Sequence, residues 1–158
     1  MEKSSSSIAS KVGIAATVVS LVGGTVALWD QFKPGDEHPD LSGRWTISNT
    51  VTGSNGGKFD GEVYVYSVGV MQDKNQGLKG NGEQTLYNGK VAASRFPIQI
   101  TDGNLTEEGI KAHFTIQGNR EFTGTLWLTM VQDDPKHWTG TFEYTAGGTL
   151  GSTEVRIK

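Results

Sequence analysis

From Leu41 to the end of the chain, no stretch holds a helical period for long. Short runs of alternating apolar and polar residues are instead punctuated by Gly, Asn and Asp. A period of two places successive side chains on opposite faces of a strand, so this part of the chain is confined to all-β folds. Eight runs are legible: 44–52, 61–72, 78–87, 91–101, 109–117, 120–132, 137–145 and 150–158. Asn88-Gly89 is the signal of a type I′ hairpin. Asp102-Gly103-Asn104, Gly118-Asn119, Asp133-Asp134-Pro135-Lys136 and Gly147-Gly148 mark further turns. Pro97 removes one backbone donor, which requires an unpaired edge or a bulge. Gly77 to Gly82 is too glycine-rich for a regular strand. No helix follows it to make a phosphate loop, so it reads as a twisted or bulged strand.

Eight sequential antiparallel strands with short connections predict an up-and-down barrel, which leaves no exposed edge. A sandwich of the same strands needs longer crossover loops than the sequence offers. An eight-stranded barrel has room for packed side chains or one small ligand.

The N-terminal part is different. Residues 12–29, VGIAATVVSLVGGTVALW, carry no charge across 18 positions. As a helix they reach about 27 Å, close to the hydrocarbon thickness of a bilayer. Gly13, Ala16, Ser20, Gly23, Gly24 and Ala27 recur at helical spacing, and small residues in register let two helices approach closely in lipid. The chain therefore divides into a polar tail (1–11), a transmembrane helix (12–29), a linker (30–40) and a β domain (41–158). A cleaved signal peptide competes with the anchor, because Thr25-Val26-Ala27 resembles a cleavage site. The run is longer than a signal core, however, and ends in Trp29 as at a membrane interface. Lys3 and Lys11 before the span, against Lys33 after it, lean toward a cytoplasmic N-terminus.

Composition narrows the chemistry. There is no cysteine, which excludes disulfides and thiol catalysis. The β domain is nearly neutral, with 11 Lys and Arg against 12 Asp and Glu, so it lacks the basic field that duplex nucleic acid requires. His38, His113 and His137 are scattered without metal-ligand spacing. No catalytic residue, metal site or cofactor is expected.

Gly43-Arg44-Trp45 at the first strand resembles the G-x-W start of lipocalin-like barrels. In that superfamily the Trp plugs one end of the barrel and a basic residue of the last strand packs across it. Arg156 holds the matching place, and a guanidinium over an indole is favourable. A lipocalin-like barrel behind a membrane helix resembles the transmembrane β-barrel effectors of bacterial cyclic-oligonucleotide antiphage defence (CBASS). Those effectors typically carry two membrane helices; this chain has one. The resemblance implies a cytoplasmic barrel at the inner membrane that senses a cyclic di- or oligonucleotide. It also implies a homo-oligomer whose helices disrupt the bilayer in abortive infection. Such a ligand needs forked donors for phosphates and aromatic faces for bases, and the candidates are Arg44, Tyr64, Tyr66, Arg95, Lys111, Arg120 and Trp127, with Tyr144 beside them; Arg156 is better explained by the Trp45 packing. Tyr64, Lys111 and Trp127 stand opposite the more aliphatic faces of their strands, either outside or lining a polar lumen. The alternative reading is a membrane-tethered, lipocalin-like binder of a small apolar ligand.

Overall fold

A computed structural model describes residues 38–132, 134–145 and 148–158. The tail, the apolar run with its small-residue stripe (Gly13, Ala16, Ser20, Gly23, Gly24, Ala27) and most of the linker lie outside the described residues.

Nine strands follow in order: β1 Gly43–Gly53, β2 Val63–Gln72, β3 Gly77–Tyr87, β4 Lys90–Val91, β5 Pro97–Thr106, β6 Gly109–Gln117, β7 Glu121–Val131, β8 Asp134–Tyr144 and β9 Leu150–Ile157. β4 is a two-residue extension of the hairpin at Asn88-Gly89. The left-handed φ angles of 47° and 76° at those two positions are what a type I′ turn needs. The eight long strands pair antiparallel as an up-and-down sheet, and β1 pairs with both β2 and β9 while β2 pairs with β3. The sheet is thereby closed on itself, and none of the eight has a free edge. The expected all-β, eight-stranded up-and-down barrel is present.

Two strand boundaries differ from the sequence reading. The expected strand 91–101 is divided: Val91 ends β4, and the ladder resumes at Pro97, the first residue of β5, where a missing donor is tolerated. Asp102-Gly103-Asn104 is no turn but the middle of β5. A bulge between Ile100 and Asp102 resets the alternation, so that Ile98, Ile100, Gly103 and Leu105 all point inward. The turn falls instead at Glu107 and Glu108. Likewise Asp134 to Lys136 belong to β8, where the register jumps from Met130↔Trp138 to Val131↔Asp134. Gly77 to Gly82 does form a strand, irregular between Leu78 and Gly80.

Alternation fills the interior. Trp45, Ile47, Val68, Leu126, Phe142 and Val155 are among the fully buried side chains. Gly140 makes a close backbone approach possible, since a Cβ there would stand 1.8 Å from the Trp127 carbonyl oxygen.

The two ends of the barrel differ. The chain enters beside Leu41, which is wholly buried, and the Trp45 indole Nε1 donates to the Leu41 carbonyl at 2.8 Å. Leu41 N donates in turn to Gln72 Oε1 at 2.6 Å. Trp138 is buried at the same end and donates to the Pro135 carbonyl at 2.8 Å. Two tryptophans thus seal the end where the chain enters and where β9 finishes.

The expected packing of Arg156 across Trp45 is not formed. Trp45 pairs with Ile157 and Thr46 with Arg156, and adjacent residues of a strand face opposite sides. Arg156 therefore lies on the outer wall, donating from Nε to Glu154 Oε1 at 2.9 Å. The same oxygen lies 3.0 Å from His137 Nε2. The Trp plug is present, and Leu41 and Ile157, not a cation, meet it.

Candidate functional site

The opposite end of the barrel is open. There the turns after β1, β4, β6 and β8 surround a cavity of about 240 Å³. Phe59, Tyr64, Tyr66, Phe96, Phe122 and Tyr144 make most of its wall, with Val51, Gln84, Ile116 and Thr149 completing it. Residues 146 and 147, beside Thr149, lie outside the described residues. Phe59 and Phe122 are 39% and 40% exposed and form the lip, whereas Tyr66 is buried deeper in the lumen.

Seven of the ten wall residues follow from strand parity, whereas Phe59, Phe96 and Thr149 stand in the connecting segments. Tyr64 and Tyr66 share the inward face of β2 with Val68 and Val70. Tyr144 ends the inward face of β8, where its ring meets the edges of Phe114, Phe122 and Phe142 at centroid distances of 5.6, 6.3 and 5.3 Å. Such tilted contacts suit the quadrupoles of aromatic rings. The Tyr66 and Tyr144 hydroxyls come within 3.4 Å of each other. Burial raises the pKa of both phenols, so they stay neutral and offer O–H donors. Tyr64 is likewise raised, first by burial and then by its hydrogen bond to the Glu62 carboxylate. The hydroxyl of Tyr87 donates to the other oxygen of Glu62 at 2.7 Å. Lys58 Nζ sits 5.2 Å from the centroid of the Phe59 ring at the lip.

The barrel interior also holds two buried polar atoms that no described protein group satisfies, Asn49 Oδ1 and Thr153 Oγ1. Asn49 is the inward neighbour below Val51 on β1, and it pairs across strands with both Tyr64 and Thr153. Sequence reading missed Asn49, Thr153 and Gln84 as site residues. Asn49 and Thr153 carried a signal: each is a polar residue at an inward position of an otherwise apolar alternation.

Of the sequence-expected ligand residues, the fold brings Tyr64, Tyr66 and Tyr144 together in the cavity. Arg120 stands at the rim, in a shallow depression that shares Phe96, Ile116 and Phe122 with the cavity. Arg95 is near it in sequence to Phe96, but its guanidinium is committed to Glu83 at 2.9 Å. Arg44, Lys111 and Trp127 are exposed on the outer wall, where Lys111 pairs across strands with Trp127. Outward parity separates these three from the lumen. Among the described residues, no cluster of His, Asp and Glu converges as for a metal.

No protein-family model and no curated protein matches the chain. Among solved structures it is similar to a redesigned beta barrel, at 16% identity and a TM-score of 0.52, over 75% of this chain and 91% of that one. That likeness concerns the fold alone: a closed antiparallel β-barrel.

Proposed function

We propose that the protein is a membrane-tethered binding barrel, not an enzyme, that takes a small, mainly apolar ligand carrying a ring. The observation that carries this reading is the aromatic cavity at the open end. Its wall is apolar apart from three tyrosine hydroxyls, the Gln84 amide and the Thr149 hydroxyl. A cavity of about 240 Å³ lies just below the range of about 300–1,000 Å³ typical of ligand sites, which suits one ring system. The tether is the uncharged run 12–29. The chain enters the barrel at the sealed end, so a membrane attachment there leaves the mouth clear.

A second reading, a cyclic-nucleotide sensor whose helices cluster to disrupt the inner membrane, draws support from Arg120 beside Phe96 and Phe122, a cation next to rings on which a base stacks. It is the weaker of the two because no Lys or Arg among the described residues lines the cavity itself, and two phosphates need more than one rim guanidinium.

Organic extraction of the purified full chain, followed by mass spectrometry, tests the first reading. A single small ring compound is expected from the wild type and none from Thr149→Trp, which fills the mouth. Recovery of nothing, together with calorimetric heat from a cyclic di- or trinucleotide, would replace the first reading with the second.

A further inference from the structure

Charge at the mouth is distributed unevenly. Every carboxylate near the opening for which a contact exists is already engaged by a neighbour. Glu62 accepts from Tyr64 and Tyr87, Asp60 accepts from Ser54 Oγ at 2.7 Å, and Glu83 holds Arg95. Glu121, the residue after Arg120, is exposed and makes no ion pair among the described residues. The cations are less committed. Lys58 rests on the Phe59 ring, and Arg120 makes no ion pair among the described residues. Arg120 is held in the tight turn between β6 and β7, where its carbonyl accepts from Gly118 N at 3.2 Å. Phe96 packs against Gly118 so closely that a Cβ there would meet the ring at 3.3 Å. The turn is thus braced against a cavity ring, and Arg120 and the Asn119 amide border the depression that adjoins the cavity.

We infer that the ligand is an anionic amphiphile: one apolar ring system seated among the mouth aromatics, with a single carboxylate, sulfonate or phosphate group held at the rim by Arg120. This rests on the reading that the barrel binds a small ring-bearing ligand and specifies its charge. A lone anion at the rim fits where two phosphates do not, because the cations stand outside an uncharged wall. A guanidinium meets a planar carboxylate with two parallel donors, and Arg120 is exposed at the rim, free to turn toward one.

The test uses the full chain in amphipol, with protein-free amphipol as the blank, and isothermal calorimetry with 2-naphthoate and 2-naphthylmethanol. The two probes share a ring system and differ in charge. The wild type should bind naphthoate about three- to fivefold more tightly than the alcohol, the scale of one exposed ion pair. Added salt should shrink that preference. Arg120→Gln should abolish it, by weakening the binding of naphthoate. Arg95→Gln, whose guanidinium is already paired, should keep it. Equal affinity for both probes in the wild type, or a preference that survives Arg120→Gln, would overturn the inference and leave the binding reading standing. Binding of neither probe to the wild type would remove both.

Discussion

Tyr66 and Tyr144, 78 residues apart in the chain, bring their hydroxyl oxygens within 3.4 Å inside the barrel. The contact joins β2 to β8, which are not neighbours in the sheet, so it spans the lumen. Both rings line the aromatic cavity.

This tyrosine cluster makes stability depend on alkaline pH. The ordinary phenol value is 10.0, and burial raises Tyr66 and Tyr144 above it in the folded state. Above that value the unfolded chain releases protons that the folded barrel keeps, so stability falls as pH rises. The contribution is intact below pH ~10 and is lost progressively above it. Thermal melts between about pH 8 and 11 should show a falling transition temperature, with a visibly shallower fall in Tyr66→Phe. An unchanged slope in that variant would show that Tyr66 does not bring about the dependence.

Thr153 buries a hydroxyl that no described group satisfies. An unsatisfied buried polar atom costs about 1–3 kcal/mol. Thr153→Val keeps the shape and removes the oxygen, so it should stabilise the barrel by about 1 kcal/mol in urea unfolding. If the hydroxyl also serves the ligand, the same variant should bind the extracted compound less tightly. Destabilisation would show that the hydroxyl is satisfied in solution.

If the run 12–29 spans a membrane, as proposed, its stripe containing Gly23 and Gly24 should serve association there. Small residues at a helix interface permit close backbone contact, and leucines there hold the backbones apart. A Gly23→Leu, Gly24→Leu chain should shift to smaller species in detergent cross-linking. It should also lose any growth inhibition that the wild type causes on expression. Identical oligomers and identical growth in both would mean that the stripe has no packing role.

Much of the fold was legible before any coordinates. Alternation named seven of the eight long strands to within three residues at either end, because one buried face forces a period of two. It failed at 91–106, where a bulge let β5 run through an Asp-Gly-Asn sequence that otherwise spells a turn. A bulge costs the sequence only one residue and leaves no compositional mark. The site was half legible. Residue type names Tyr64, Tyr66 and Tyr144, but it names Arg44, Lys111 and Trp127 with them, although their strand parity sends them outward.

The sequence by itself determined the number of long strands and their antiparallel order, since these follow from local periodicity and turn chemistry, while the tryptophan at one end was what the lipocalin-like resemblance implied. Only the tertiary structure decided which face of each strand points inward, which end stays open and which cation reaches it. Arg156 shows the reason. Its place on the last strand suggested a partner for Trp45, yet its parity relative to Trp45 depends on the β1–β9 register, a pairing between the two ends of the domain. Closure of the barrel fixes that register, and no local stretch of sequence encodes it.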